Sequence, residues 1–382
     1  MKKLVIALSV VCFVLGVNAI VFAETGVTES KIIIGQSAAL SGPTKALGIE
    51  MKAGMNAYFG YINSIGGVNG RKFELVSYDD GYEPERCIEQ TRKLISDGVF
   101  ALIGYVGTPT SKAAVPIVEQ EKIPFIGAFA GAEFLRNPVK HYVLNVRGSY
   151  FDETEALVKR VVDEQGIKKI ACFYQNDSYG QAGLAGVKNA LAKRSMVLEA
   201  EGTYERNTLA VKGGLAMINS ADVGAVIMIG AYAPCAEFIK LAKQIGMTDV
   251  KFLNISFVGS DALREALGSE GEGVIISQVV PFPWDNSIPL INEYKEMLAK
   301  FSPEQPHGFV SLEGFMVAKL FVDAVKACGA DITREGLISA IESKGVFDLG
   351  GVKLTFGSND HQGMDTVNLT EISGKGFKDI TK

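Results

Sequence analysis

Short apolar runs alternate along this chain with longer segments whose apolar residues recur every three or four positions. Residues 31–36 form the first run. Leu47, Met51, Met55, Tyr58 and Ile62 then draw one stripe along a helix. A glycine-rich turn over 66–70 leads to a strand over 72–78, a helix over 84–95, a strand over 99–104, a helix over 109–120 and a strand over 124–128. The order restarts with helices over 153–164, 179–193, 209–219 and 233–245, interleaved with strands over 169–174, 197–204, 225–229 and 251–255. Such alternation predicts an α/β fold of doubly wound parallel sheets, covered by helices on both faces. Beyond about residue 280 the pattern changes. An irregular stretch at Pro281, Phe282, Pro283 and Trp284 precedes helices over 288–300, 308–327 and 334–343, then strands over 352–356 and 366–372. Two doubly wound units and a helix-rich return are therefore expected. Ligands of such sheets bind at the carboxyl ends of the strands, and two units facing each other make a cleft.

Composition places this fold outside the cytoplasm. Lys2 and Lys3 precede an apolar stretch that ends in Val21, Phe22 and Ala23, which reads as a secretory signal peptide over 1–23, cleaved after Ala23. Ser9, Val10 and Val11 before Cys12 lack the small residue that lipid attachment requires, so free soluble export is expected. No later run approaches the roughly 18 apolar residues of a membrane span. The chain has 382 residues with 38 basic and 43 acidic side chains, and losing Lys2 and Lys3 makes it more acidic still. That balance argues against nucleic acid. The length calls for two domains.

The same inventory argues against an enzyme. Cys87, Cys172, Cys235 and Cys328 show no metal or disulfide spacing, and His141, His307 and His361 are dispersed, so no metal and no cofactor is expected. Neither GxSxG, HExxH nor a GxGxxG with its ribose-binding acid is present. Asp79 and Asp80 end a strand before a Gly-Tyr turn and read as loop anchors.

One stretch carries candidate chemistry: Gly104, Tyr105, Val106, Gly107, Thr108, Pro109, Thr110 and Ser111 join a strand to a helix. Thr108 reads as the N-cap with Pro109 at the first helical position. Unpaired amides and the positive end of the helix dipole would hold a carboxylate or phosphate there, and three hydroxyls can add hydrogen bonds. Plain helix capping is the alternative.

Leu40-Ser41-Gly42-Pro43, Tyr61-Ile62-Asn63 with the 66–70 turn, Tyr78-Asp79-Asp80, the 104–110 loop, Ile123-Pro124 and Asn176-Asp177-Ser178-Tyr179-Gly180 carry a resemblance in their order and spacing. From about residue 30 onward the chain resembles the leucine-binding branch of type I periplasmic binding proteins. The resemblance implies two lobes joined by three crossings, near 147–150, 279–283 and 362–366. Lobe 1 then comprises 24–148 plus 282–363, and lobe 2 comprises 149–281 plus 364–382. It implies a monomeric periplasmic receptor that captures a small carboxylate-bearing molecule, closes by a hinge motion and delivers it to the membrane permease of an ABC transporter. A branched-chain or other apolar amino acid is the default ligand. An exported sensor subunit is the alternative, and the lack of a following membrane helix or signalling module favours transport.

The family's carboxylate site maps onto Gly107, Thr108, Pro109 and Thr110 and onto the backbone from Ala128 and Phe129 to Gly131. Tyr179 and Tyr232 match tyrosines that cover the ligand on closure. An aromatic set of Tyr105, Phe129, Tyr150, Tyr179, Tyr232 and Phe257 would suit a flat or apolar ligand. Arg147, the nearby base, pairs either with a ligand carboxylate or, on the surface, with Asp152 or Glu153. There are departures too. The acids that hold a ligand ammonium in relatives are matched by Tyr150 and Ser256, which leaves room for an aromatic or other non-amine carboxylate, or an amide. Gly131 and Leu47 replace a threonine and a tyrosine, which would enlarge or depolarise the pocket. A family disulfide is matched by Tyr82 and Gly107, which would free the loop for a bulkier group.

Overall fold

The computed structural model describes residues 24–374 and 376–381, so the expected signal peptide lies outside the described residues. The first unit begins with β1 (Lys31–Ala38), α1 (Lys45–Ser64), β2 (Lys72–Asp79), α2 (Pro84–Ser96), β3 (Ala101–Ile103), α3 (Thr108–Glu121), β4 (Phe125–Ile126) and β5 (Val143–Leu144). These strands form one parallel sheet in the order β2-β1-β3-β4-β5. The α1 stripe of Leu47, Met51, Met55, Tyr58 and Ile62 is buried throughout.

The second unit follows with α4 (Tyr150–Val158), which runs on through a π-helical segment (Lys159–Glu164). It continues with β6 (Ile170–Gln175), α5 (Ser178–Ala192), β7 (Ala200–Tyr204), α6 (Lys212–Asn219), β8 (Ala225–Ile229), α7 (Tyr232–Gln244), β9 (Lys251–Asn254), α8 (Ser260–Leu267) and β10 (Ile275–Gln278). Then α9 (Pro289–Phe301), α10 (Phe309–Cys328), α11 (Arg334–Lys344) and the hairpin β11 (Val346–Asp348) and β12 (Lys353–Thr355) return to the first unit. Finally β13 (Asn368–Ser373) and β14 (Gly376–Asp379) complete the second sheet, in the order β14-β13-β10-β9-β8-β6-β7. The chain thus passes three times between two α/β sheets.

Close helix packing fixes the first unit. A methyl group at Gly54 would overlap the Ser311 carbonyl, and one at Gly314 would overlap the Met51 backbone, so these two glycines bring α1 and α10 into backbone contact. The first three turns of α10 are buried throughout.

Several element ends differ from the periodicity. The strands expected over 99–104 and 124–128 shrink to β3 and β4 because Gly104 and Gly127 take positive φ of 60° and 64° and leave the ladder. Helix α4 starts at Tyr150 rather than 153, since Ser149 and Asp152 form a capping box. Strands β5, β10, β11 and β14 and helix α8 escaped the pattern. β5 has two residues, and β10 carries polar Ser277 and Gln278 whose burial is compensated by bonds to Glu153 (2.6 Å) and Thr370 (2.8 Å).

The crossings are tied together. Asn145 bridges to Gln362 in parallel, with Gly363 N donating to Asn145 O at 2.8 Å. Buried Arg136 donates through Nη2 to the carbonyls of Arg147 (2.9 Å) and Gly148 (3.3 Å), and through Nε to Gln362. One side chain therefore ties the first crossing to the third.

Candidate functional site

The carboxyl ends of β3 and β4 face those of β6, β8 and β9 across the space between the sheets. Gly107, at φ 106°, is the N-cap of α3, and Thr108 is its first residue, so the helix begins one position earlier than the sequence suggested. A Thr108 side chain freed from capping can point outward, and its Oγ1 meets the Tyr150 hydroxyl at 3.1 Å. The Thr108 and Thr110 amides donate no hydrogen bond among the described residues, and the buried Ser111 hydroxyl lacks a partner. Helix α3 therefore offers an anion two amides, one hydroxyl and the positive end of its dipole.

Thr110 does not share this role. Its Oγ1 donates back to the carbonyls of Val106 (2.6 Å) and Gly107 (3.0 Å). Tyr105 is also misplaced by the sequence reading. Its ring packs on Phe125 (4.9 Å) and its hydroxyl meets Thr91 (3.1 Å), inside the first unit rather than in the cleft. Alternation along an extended segment explains this, because neighbours Tyr105 and Val106 point to opposite faces. Several backbone groups near Ala128, Phe129 and Gly131, where a carboxylate was expected, are already paired. Phe129 N donates to Tyr105 O (2.7 Å), Ala130 N to Ala128 O (2.8 Å), and Gly131 O accepts from Tyr150 N (2.7 Å). Pro109 is buried at the start of α3.

Aromatic rings from both units meet in front of α3. Phe257 lies 5.3 Å from Phe129, 4.5 Å from Tyr179 and 5.9 Å from Tyr82, and Tyr150 lies 5.6 Å from Tyr179. All five are buried. Tyr179 is held at the start of α5, where Asp177 caps its amide at 2.9 Å, and burial pushes its hydroxyl well above the usual range. Tyr150 is pushed up to about 12, mainly by burial and against the Arg147 charge.

The space expected from the family departures is filled. A side chain at Gly131 would overlap the Tyr150 ring, one at Gly107 would overlap Tyr82, and one at Gly259 would overlap Leu47. Each small residue thus accommodates a large one, Tyr82 from the same unit and Tyr150 and Leu47 from the facing one. Tyr232 lies apart from the ring cluster, beside Gly259 and the Ala46 backbone at the start of α1.

Arg147 is not a surface residue. It is fully buried, its guanidinium 4.8 Å over Phe129, with Nη2 reaching Glu153 (3.2 Å) and Ser256 Oγ, and Nη1 3.7 Å from Glu313. Glu153 is fully engaged: its other oxygen accepts from Ser256 N (2.7 Å) and Ser277 Oγ (2.6 Å). Sequence reasoning missed Glu313 altogether. It lies near the amino end of α10, and burial pushes its carboxyl up to about 7 although Arg147 pulls the other way. An acid placed among the apolar residues of the first turns of α10, away from the charged positions Lys319, Asp323 and Lys326, was the available signal.

Outer contacts join the units at the cleft mouth. Arg206 pairs with Glu83 (2.8 Å) and Asp177 (2.9 Å), Asn207 donates to Glu83 (2.7 Å), and Gln175 donates to the Tyr82 hydroxyl (3.3 Å). Among the described residues no acidic, histidine or cysteine cluster suits a metal ion, the four cysteines are free, and no helix is long and apolar enough to cross a membrane.

Two α/β lobes that close aromatic rings and a helix amino end around a cleft define a solute-capturing protein rather than a catalyst. The sequence matches the family described as "Periplasmic binding protein" over residues 31–377, and the chain belongs to that family of binding proteins, which are not enzymes. The chain is 24% identical over 314 residues to the leucine-, isoleucine-, valine-, threonine-, and alanine-binding protein of Pseudomonas aeruginosa, covering 81% of each. The crystal structure of a possible leucine/isoleucine/valine-binding protein from Rhodopirellula baltica superposes with a TM-score of 0.88 at 39% identity, over 92% of this chain and 96% of that one. A substrate-binding periplasmic protein from Ralstonia solanacearum gives 0.86 at 26% identity, over 91% and 99%.

Proposed function

We propose that this protein is the extracytoplasmic receptor of an ABC uptake system, and that it captures a small carboxylate-bearing ligand with an apolar body between its lobes. The observation that supports this most is the meeting of Thr108 and Tyr150 at 3.1 Å beside two unpaired amides of α3. A carboxylate at that point gains charge-assisted hydrogen bonds and the helix dipole. Phe129, Tyr150, Tyr179 and Phe257 would enclose an apolar body. Capture begins on the lobe that carries α3, and the second lobe closes by rotation about the three crossings, which we place at 147–150, 279–283 and 362–366. The lobes accordingly comprise 24–148 with 282–363, and 149–281 with 364–382. The closed form, a monomer, is what a permease would recognise.

Leucine, isoleucine and valine, for which the relatives are named, are the first ligands to test. A thermal-shift screen of these amino acids, their deaminated acids and their amides reads binding as a rise in apparent stability. Stabilisation by amides and not by acids would remove the carboxylate from this account.

A further inference from the structure

Arg147 presents more hydrogen-bonding capacity than its neighbours use. Its side chain is fully buried, yet among the described residues Nε and Nη1 donate no hydrogen bond, and Glu313 stands 3.7 Å off Nη1. Buried donors without acceptors are rare in folded proteins and call for a partner. A void of about 10 Å³ borders Phe129, Ser256 and Glu313 at this point, the room of about one water molecule.

We propose that the ligand is an organic acid without an ammonium group, and that the Nε and Nη1 edge of Arg147 hydrogen-bonds one of its oxygens. The inference rests on the carboxylate-receptor reading above and narrows it. Tyr150 links the two places: its hydroxyl bonds Thr108 at the α3 end, and its amide bonds Gly131 beside Phe129, on which Arg147 stacks. A carboxylate on α3 at the Tyr150 hydroxyl also comes within range of the Arg147 charge, which already acts on that hydroxyl. An ammonium there meets like charge, and both oxygens of Glu153 are already taken by Arg147, Ser256 and Ser277. An oxo, hydroxyl or second carboxylate oxygen instead finds two free donors.

Charge balance supports the same class. The charged groups facing Glu313 are Arg147 and Glu153 from the cleft floor and Arg136 behind them. Arg136 in turn faces Glu133 and Asp152, and with Glu313 protonated Arg147 and Glu153 balance one another, which leaves no free carboxylate for an ammonium to pair with. The Glu313 carboxyl, pushed up to about 7 by burial, is poised to hold that proton and to donate to the ligand.

Titration calorimetry on the mature protein tests this with leucine, valine and phenylalanine against 4-methyl-2-oxopentanoate, 3-methyl-2-oxobutanoate and phenylpyruvate. The expected result is that the best oxo acid binds at least tenfold more tightly than the amino acid of the same skeleton. Its affinity falls as pH rises from 6 to 8, approaching tenfold per unit. Arg147→Lys reduces that affinity at least tenfold, and Glu313→Gln, which keeps a donor in place, flattens the pH profile. Tighter binding of the amino acids, abolished by Glu313→Gln, would assign Glu313 to an ammonium and overturn the inference while leaving the carboxylate receptor standing. Binding by neither set would remove both.

Discussion

Thr108 Oγ1 and Tyr150 Oη stand 3.1 Å apart, although 42 residues separate them in the chain. Thr108 opens α3 on the first unit and Tyr150 opens α4 on the second, so this bond joins two helix amino ends across the cleft. A ligand oxygen entering there competes for both hydroxyls. Thr108→Ala should weaken ligand binding by about 1–3 kcal/mol, the range for a hydrogen bond to a charged group. Calorimetry reads this directly, and an unchanged affinity removes Thr108 from the site.

Gly131 is small because Tyr150 occupies the space beside it. A methyl group at this position overlaps the ring and approaches the Tyr150 amide at 2.9 Å. Gly131→Ala should displace Tyr150 and lower stability by about 1–3 kcal/mol, as overpacking does. The unfolding midpoint and the ligand affinity should fall together. A variant as stable as the parent would show that the ring moves freely.

Glu153 compensates Arg147 in a site where neither side chain reaches solvent. Replacing it by alanine strands the guanidinium and should cost about 3–5 kcal/mol, the usual result of breaking a buried pair. Denaturant unfolding measures the loss. A change below about 1 kcal/mol, the range of exposed pairs, would contradict the burial described here.

Tyr232 touches the first unit through the Ala46 backbone, outside the ring cluster. Tyr232→Ala should therefore impair closure more than initial capture. Solution scattering should show a smaller ligand-induced compaction than in the parent protein, and equal compaction would remove Tyr232 from the closing contact.

Glu50 on α1 faces Asp261 and Glu265 on α8, with Arg264 alongside and Tyr232 and Tyr294 nearby. Burial, then the Asp261 and Glu265 charges, push Glu50 up to about 8, and burial pushes Asp261 up to about 6. An acid whose folded pKa is raised favours the folded, closed form fully below its ordinary value near 4.5. That contribution is lost as pH climbs through about 8. Thermal stability should accordingly fall between pH 5 and 8, and Glu50→Gln should flatten the decline. A parallel decline in parent and variant would assign the pH dependence elsewhere.

The doubly wound alternation was legible because β1, β6 and β8 are long apolar runs between helices with clear stripes. The short strands were not, since two-residue β5 has no period and β10 buries Ser277 and Gln278 through partners distant in sequence. At the site, the α3 loop could be read from its glycine, proline and hydroxyls. Which way Tyr105 and Thr110 point depends on facing and on local bonds that spacing leaves open. The acids near the cleft were sought at Tyr150 and Ser256, whereas Glu153 and Glu313 arrive from α4 and α10. Glu153 lies close to Arg147 in sequence and was readable as its partner, though on the surface, whereas only tertiary packing brings Glu313 to the guanidinium.

The central claim is that the lobes close on a small carboxylate held at Thr108 and Tyr150. Scattering from the mature protein, recorded while branched-chain amino acids and their deaminated acids are titrated in turn, tests it most directly. The account predicts a saturable decrease in radius of gyration with at least one carboxylate, and none with the matching amide. Compaction by amides alone, or by no member of the series, would contradict it.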